Sequence, residues 1–352
     1  MKLLRWLFFP VSILYGWLMS LRNHLYNIGR KPEVEFDRVI ISVGNLSMGG
    51  TGKTPMVEYL IRLLKTDYNL ATLSRGYRRK TRGYRMANTS DNASTMGDEP
   101  FQYYRKFGDS ISVCVGEERV IAIPSAIMEK EEIELFLLDD AYQHRKVARD
   151  YNILLTDFNS LFYTDYILPT GELREPRGGA RRADCIIVTK CARAIDNAQR
   201  SEIRGEIIKY SGQKPIFFSH IKYDKPQSVF TENEVELKVR SEVLLLTAIA
   251  DNWMFKAEVE RNYVIKNEFV FEDHHGFTSK DLDGLQCYLK EQKGNISIIT
   301  TEKDMVRLLT HADHSLFKNA PVFYIPIRFM LEEEGKFKEG LLNVVERKKN
   351  LN

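Results

Sequence analysis

Short apolar runs alternate with longer amphipathic stretches along most of the chain, and this alternation predicts an α/β fold. The run at 39–41 is followed by a stretch, beginning at Pro55, whose apolar residues recur at helical spacing. Further runs with the length of buried strands lie at 68–73, 111–115, 133–138, 151–156 and 185–190. Strands that alternate with helices in this way form a mostly parallel sheet.

The pattern changes after Lys214. Residues 228–237 alternate around a polar turn, which predicts a hairpin. Later apolar runs predict a second α/β unit with strands at 243–247, 263–271, 296–300 and 322–327. We therefore divide the chain into an N-terminal helix (1–28), a core (29–225), a hairpin linker (226–240) and a C-terminal α/β domain (241–352). The polar tail at 346–350 is expected to fray in solvent.

The N-terminal segment is unusually apolar. Residues 6–21 carry no charge, include two tryptophans and are flanked by Arg5 and Arg22. The segment is shorter than the roughly 20 apolar residues that span a bilayer, and it contains Pro10. Aromatic and basic residues around an apolar face favour a helix that lies in the membrane interface. A helix that packs in the core or against a partner is the alternative.

A glycine-rich loop joins the strand at 39–41 to the helix that follows. It consists of Ser47, Met48, Gly49, Gly50, Thr51, Gly52, Lys53 and Thr54. A strand, a glycine loop ending in Gly-Lys-Thr and a helix form the context of a phosphate-binding P-loop. Lys53 would reach the β- and γ-phosphates of a nucleotide, and Thr54 would ligate Mg²⁺. Ser47 replaces the first glycine of the standard pattern, so a simple turn before a helix is the alternative.

Acidic residues lie at places where phosphoryl transfer needs them. Asp139 and Asp140 end the apolar run at 133–138, as Mg²⁺-coordinating acids do in P-loop proteins. A helix-capping aspartate is the alternative. Asp98, in the Gly-Asp-Glu-Pro segment at 97–100, is a candidate base for an acceptor hydroxyl. The Asp-His-His segment at 273–275 is chemically rich, but functional and structural roles are equally favoured there.

The net charge of the chain is small, but basic residues are concentrated in particular segments. The net charge of +3 is too small to indicate nucleic-acid binding. Basic residues concentrate in two glycine-containing loops, at 74–85 and 167–182, which we expect to face an anionic substrate; solvated loops are the alternative. The four cysteines have no metal-binding spacing and indicate reduced thiols in the cytosol.

Taken in order, these segments resemble the tetraacyldisaccharide 4'-kinase family of lipid A biosynthesis. The resemblance rests on the apolar N-terminus and on the segments at 43–55, 74–77, 97–100, 138–144, 168–176, 273–275 and 301–304. It implies a P-loop NTPase-like α/β/α core, a smaller C-terminal α/β domain and a membrane-associated N-terminal helix. It also implies Mg²⁺ and ATP, with the 4'-hydroxyl of a lipid A disaccharide 1-phosphate as the acceptor. The family has Ser or Thr at the position of Ser47, which accounts for that departure.

Position by position, the resemblance also implies roles for individual residues. The implied catalytic residues are Lys53, Asp98 and His274, with His274 preferred to His275. The implied metal-binding residues are Thr54, Asp139 and Asp140. The implied substrate-binding residues are Arg75, Arg119, Gln143 and Arg174.

The resulting expectation is a monomeric lipid kinase on the cytoplasmic face of the bacterial inner membrane. A membrane-tethered nucleotide switch is the alternative function. Such a switch would need a guanine-recognition element of the type Asn/Thr-Lys-x-Asp, and the segment at 188–193 lacks the aspartate.

Overall fold

The computed structural model describes residues 6–192, 195–230, 236–292 and 296–350. Its helices are α1 Phe9–Asn27, α2 Lys53–Leu64, α3 Ala93–Met96, α4 Asp98–Phe107, α5 Arg119–Glu129, α6 Asn197–Ser211, α7 Trp253–Asn262, α8 Ser279–Glu291, α9 Glu302–Leu308, α10 Leu316–Asn319 and α11 Glu334–Lys349. Short 3₁₀ turns lie at Trp6–Phe8, Arg177–Arg182 and Leu309–His311.

A large sheet forms the core. Its strands are β1 Val39–Asn45, β2 Leu70–Ser74, β3 Arg85–Met86, β4 Ser112–Val115, β5 Leu135–Asp139, β6 Tyr151–Asp157, β7 Cys185–Thr189, β8 Ile216–Tyr223 and β14 Ile327–Leu331. Their order across the sheet is β14-β8-β7-β6-β1-β5-β2-β4-β3. The edge strands β3 and β14 are antiparallel to their neighbours, and the strands between them are parallel. The predicted, mostly parallel sheet is therefore present.

Helices cover both faces of this sheet. Alternate residues of β1 point to opposite faces, so that Ile41 packs in a cluster with Leu60 of α2, whereas Ile40 packs with Ile123 of α5. Every residue of β1 is buried, as expected for a central parallel strand. This three-layer arrangement is consistent with the predicted P-loop core.

A smaller sheet lies in the C-terminal part of the chain. Its strands are β9 Gln227–Ser228, β10 Glu242–Thr247, β11 Val264–Val270, β12 Ser297–Thr301 and β13 Val322–Ile325, in the order β11-β10-β12-β13-β9. Within it β9 alone runs antiparallel, against β13. We call this sheet with α7–α10 the small lobe. Most of the predicted hairpin turn, 231–235, lies outside the described residues.

The last part of the chain returns to the large sheet. The apolar run predicted as one strand at 322–327 is divided at Pro326: β13 stays in the small lobe and β14 pairs with β8. Helix α11 then buries Phe337 against the large sheet. The expectation that 346–350 frays is wrong, because α11 continues to Lys349, whose ammonium lies 2.7 Å from a Glu134 carboxylate oxygen.

Helix α1 packs on the core with one face, where Ser12, Gly16 and Tyr26 are buried, and turns large apolar residues outward on the other face. The Ser12 hydroxyl donates a 2.7 Å hydrogen bond to Thr170, and a Cβ on Gly16 would lie 2.8 Å from Ile167 Cδ1. By contrast, Leu14 and Trp17 each expose about 60% of their surface (59% and 60%). No described helix is long and apolar enough to cross a membrane.

Candidate active site

The glycine loop lies between β1 and α2, as the sequence predicts for a P-loop. Gly52 precedes α2 with φ +81°, a left-handed conformation that glycine adopts without steric cost. Asn45 Nδ2 donates to Thr51 Oγ1 at 2.8 Å, and Thr189 Oγ1 donates to the Thr51 carbonyl at 2.9 Å. The loop is thus fixed from two strands, β1 and β7, at the carboxyl edge of the sheet where ligands bind in α/β folds.

Asp140 lies beside the basic residues of this loop region. Lys53 Nζ is 3.5 Å from Asp140 Oδ1, and Arg174 Nη1 donates to the same oxygen at 2.9 Å. Burial alone would raise the pKa of Asp140, but the charges and hydrogen bonds of Lys53 and Arg174 outweigh it and lower the pKa. Asp140 is therefore an ionised carboxylate that holds Lys53 and Arg174 close together.

Asp139 has a different environment. It is buried, Tyr103 donates a 3.0 Å hydrogen bond to its Oδ2, and its Oδ1 has no partner among the described residues. Burial and the neighbouring charges of Asp140 and Glu99 raise its pKa to about 6. A buried carboxylate oxygen without a partner is costly unless a cation or water satisfies it.

The structure brings Asp98 and His274 together across the two lobes. Asp98 is the first residue of α4, and His274 follows β11 in the small lobe with φ +60°. His274 Nδ1 lies 3.5 Å from Asp98 Oδ2, and Arg307 Nε donates to the same oxygen at 2.7 Å. Burial would raise the pKa of Asp98, but the hydrogen bond from His274 and the charges of Arg307 and Lys303 lower it.

The two adjacent histidines have different surroundings. Lys303 Nζ lies 3.1 Å from His274 Nε2. His274 Nε2 can therefore accept a hydrogen bond from the Lys303 ammonium while Nδ1 donates to Asp98. His275 instead bonds Asp281 at 3.0 Å, within the capping box of α8, and stacks on Phe271 at 4.6 Å. The geometry therefore favours His274 as the residue that acts beside Asp98.

Helix α4 connects Asp98 to the acidic pair. Tyr103, which bonds Asp139, lies one and a half turns after Asp98 on the same helix. Glu99, next to Asp98, forms a 3.1 Å ion pair with Lys303 of α9. A single short helix thus links the end of β5 to the small lobe.

The predicted substrate-binding residues are used in different ways. Arg119 is buried, donates to the Gly116 carbonyl at 2.7 Å and has a pKa that burial lowers to about 10. Gln143 donates to the carbonyl of Asn45 and to Glu175 Oε1, each at 2.9 Å. Both side chains hold backbone in place, and a substrate contact would require them to exchange these bonds. Arg75 is exposed at the end of β2 and is free of such ties among the described residues.

The basic loop at 74–85 is only partly available to an anion. Arg79 pairs with Glu117 at 2.6 Å and Arg85 pairs with Asp91 at 2.7 Å. These ion pairs hold both arginines within the part of the chain built on the large sheet. Arg78 Nη1 donates to the His274 carbonyl at 2.5 Å. The expectation that the whole run faces substrate is therefore too broad, because these three arginines fold the loop and attach it to the small lobe.

Two cationic residues of this site were not singled out from the sequence: Arg307 and, within the segment at 301–304, Lys303. Arg307 lies three residues after Asp304 on α9 and pairs with it at 2.8 Å. An acid and a base three residues apart predict an ion pair on one face of a helix, and this spacing was the signal in the sequence that could have pointed to Arg307.

Comparison with known proteins identifies relatives over nearly the whole chain. The family model described as Tetraacyldisaccharide-1-P 4'-kinase matches residues 4–346. A tetraacyldisaccharide 4'-kinase from Flavobacterium psychrophilum is 43% identical over 98% of this chain and 98% of its own length. One from Porphyromonas gingivalis is 37% identical over 97% of each. The crystal structure of LpxK from Aquifex aeolicus in complex with ATP superimposes with a TM-score of 0.75 at 31% identity, covering 97% of this chain and 99% of the other.

Proposed function

Since the chain belongs to the tetraacyldisaccharide-1-P 4'-kinase family, and so carries out the ATP-dependent 4'-phosphorylation of lipid A biosynthesis, we propose that Asp98 is the base of this transfer and that His274 supports it. The observation that carries the proposal is the contact of Asp98 with His274 across the two lobes, 3.5 Å from Nδ1 to Oδ2. The family match favours this kinase over the nucleotide switch that the sequence left open.

The proposed reaction is an in-line transfer of the γ-phosphoryl group. The 4'-hydroxyl oxygen forms a bond to the γ-phosphorus of ATP while the bond from that phosphorus to the β,γ-bridging oxygen breaks, and ADP leaves. The hydroxyl proton passes to Asp98. The low pKa of Asp98 suits a loose transition state, in which the hydroxyl becomes acidic only as its new bond to phosphorus forms.

The donor phosphates would lie in the P-loop formed by 47–54. Its backbone N–H groups and the N-terminus of α2 face an anion, and Lys53 adds a positive charge near the β- and γ-phosphates. Arg174, on the other side of Asp140, would add a second positive charge.

The acidic pair fits a magnesium ion. Thr54, Asp139 and Asp140 offer one hydroxyl and two carboxylates, the oxygen ligands that Mg²⁺ prefers, and the unpartnered Asp139 Oδ1 is a suitable ligand atom. The described residues contain no group of three or more His, Cys, Asp or Glu that could hold a metal by itself. This is expected for Mg²⁺, which takes its remaining ligands from phosphates and water and, when bound, neutralises charge on the phosphates.

The lipid acceptor would reach the proposed site, formed by the P-loop and Asp98, from a membrane surface. Helix α1 presents Leu14 and Trp17 outward, an arrangement that suits burial in the headgroup region rather than water. We place the enzyme on the cytoplasmic face of the inner membrane, where ATP is present. Arg75, exposed directly after β2, is then a suitable residue to meet the anionic lipid disaccharide. Because both lobes come from one chain, a monomer suffices.

The test is transfer of radiolabelled phosphate from ATP to a lipid A disaccharide 1-phosphate, with Asp98→Asn and Asp109→Asn compared. Asp98→Asn should lower kcat by about 10²–10⁴-fold with little change in the KM for ATP, because proton acceptance is lost and the P-loop is intact. Asp109 is exposed just beyond α4, so its variant is the matched control. A kcat of Asp98→Asn within a few-fold of the control would remove Asp98 from this role.

A further inference from the structure

Arg307 is a buried cation that lies against both Asp98 and His274. Its side chain is 5% exposed. Nε donates to Asp98 Oδ2 at 2.7 Å, Nη1 donates to the Ala248 carbonyl at 2.9 Å and to Asp304 Oδ1 at 2.8 Å, and Nη2 lies 3.3 Å from His274 Nδ1. The guanidinium thus donates to three acceptors, the Asp98 carboxylate, the Ala248 carbonyl and the Asp304 carboxylate, while Nη2 lies beside the His274 ring.

We propose that Arg307 is a positioning residue for the transfer: it is anchored in the small lobe and holds the Asp98 carboxylate in the orientation that accepts the hydroxyl proton. The proposal rests on the role proposed above for Asp98. Arg307 itself touches neither the nucleotide loop nor, in this role, the reacting atoms.

The contacts around Asp98 divide its two oxygens between two tasks. Arg307 and His274 both approach Oδ2. Within the described part of the chain, these side-chain contacts of Asp98 fall on Oδ2, which leaves Oδ1 for the acceptor hydroxyl. Holding one oxygen of a carboxylate fixes the direction of the other, which is the geometric requirement for proton transfer.

The anchor of Arg307 is itself rigid. Asp304 is completely buried, accepts hydrogen bonds from the backbone N–H of Ala248 at 3.0 Å and from Thr301 Oγ1 at 2.7 Å, and receives Arg307 on its other oxygen. The Ala248 carbonyl, at the end of β10, provides a second fixed acceptor. Arg307 therefore couples the orientation of the Asp98 carboxylate on α4 to the position of the small lobe.

Lysine could not replace this arrangement. A guanidinium presents donors in a fixed plane and can bond Asp98, Asp304 and a carbonyl at once, whereas an ammonium is a single point of charge on a flexible stem. Arg307→Lys should therefore keep the charge beside Asp98 but lose the orientation.

Besides Arg307, the groups that act on the pKa of Asp98 are His274 of the small lobe and Lys303 of α9. Acidic residues pair with these cations and donors in turn: Asp273 with His274, Glu99 with Lys303 and Asp304 with Arg307. These groups remain when Arg307 is replaced. Removing the nearest cation should still raise the pKa of Asp98, because an adjacent arginine lowers a carboxyl pKa by about 1–3 units.

The experiment measures kcat and the KM for ATP against pH with the full-length enzyme, ATP and the lipid disaccharide 1-phosphate. Arg307→Met should shift the acidic limb of the kcat profile upward by about one pH unit and lower kcat at its plateau by about 10²-fold, with the KM for ATP unchanged. Arg307→Lys should keep the wild-type limb and recover only part of kcat. Arg261→Met, which removes an exposed arginine that pairs within α7, is the matched control.

Asp304→Asn covers the case in which Arg307→Met does not fold. It leaves the arginine charge beside Asp98 but removes its anchor, so kcat should fall while the acidic limb does not move upward. If Asp98→Asn keeps full transfer, the function proposed for Asp98 fails. If Asp98→Asn is inactive but Arg307→Met or Asp304→Asn has the kcat and pH profile of the Arg261 control, the inference about Arg307 is overturned and the base stands.

Discussion

Replacing Lys106 by methionine should destabilise the protein strongly, because one ammonium serves two buried carboxylates. Lys106 Nζ lies 2.6 Å from Glu58 Oε2 on α2 and 2.6 Å from Glu302 Oε1 on α9. Glu58 and Glu302 are only 1% and 5% exposed. The ammonium, on α4, therefore joins the P-loop helix, the helix that begins at Asp98 and the small lobe.

The loss falls mainly on Glu302. Glu58 keeps hydrogen bonds from Gln102 and Arg62, at 2.8 and 3.0 Å. Glu302 already has one oxygen without a hydrogen-bond partner among the described residues, and Lys106 is its ion-pair partner. Removing one member of a buried ion pair costs about 3–5 kcal/mol of unfolding free energy. We expect a loss in this range for Lys106→Met at pH 7.5.

The loss should shrink as the pH falls. Burial and the charge of Glu58 already raise the pKa of Glu302, and removing Lys106 raises it further. A folded-state pKa above the unfolded value means that the folded state binds the proton more tightly, so the variant regains stability as the pH decreases through that range. Urea unfolding at pH 7.5 and pH 5.5, followed by tryptophan fluorescence, measures both effects.

Two comparisons make this test decisive. Lys209→Met removes an exposed lysine that pairs with Glu206 within α6 and should leave unfolding unchanged. Lys106→Met combined with Glu302→Gln should recover part of the stability at pH 7.5, because the uncompensated charge is gone. A loss below about 1 kcal/mol for Lys106→Met, or a loss that is the same at both pH values, would refute the argument that these carboxylates are ionised and dependent on Lys106.

Two further predictions concern the metal site and the membrane. Because the pKa of Asp139 is raised to about 6, protonation competes with a cation below that pH, and the affinity of the nucleotide-free protein for Mn²⁺ should fall between pH 7.5 and pH 5. Paramagnetic resonance of free Mn²⁺ measures this affinity, and an affinity that stays constant would contradict the prediction. Replacing Leu14 or Trp17 by Gln should each lower the affinity for anionic phospholipid vesicles, measured by cosedimentation, by about tenfold, whereas Val264→Gln, at an exposed valine of β11, should not. Equal binding by all three variants would exclude α1 as the contact surface.

Much of the fold follows from local pattern. Apolar runs that end in glycine or acid predict the buried parallel strands, because a strand covered on both faces needs continuous apolar side chains. The glycine loop at 47–54 is predicted from its local context, a strand followed by a glycine-rich segment ending in Gly-Lys-Thr and a helix. Asp139 and Asp140 are likewise located at a strand end by sequence.

The tertiary structure decided where distant segments meet. Nothing in the run at 322–327 shows that β13 and β14 enter different sheets, because pairing depends on the partner strand β8 rather than on local composition. The use of Arg119 to hold backbone carbonyls is also a result of packing, as an arginine in sequence has the same chemistry whether it meets a ligand or a carbonyl.

The sequence by itself thus determined most of the elements, the nucleotide loop and the candidates for the chemistry. Only the folded chain decided that Asp98 meets His274 and Arg307, residues 176 and 209 positions away (274 − 98 and 307 − 98). The local sequence pattern predicts which residues share a helix or a strand. Contacts between distant elements depend instead on how their whole surfaces pack, which involves residues from many parts of the chain.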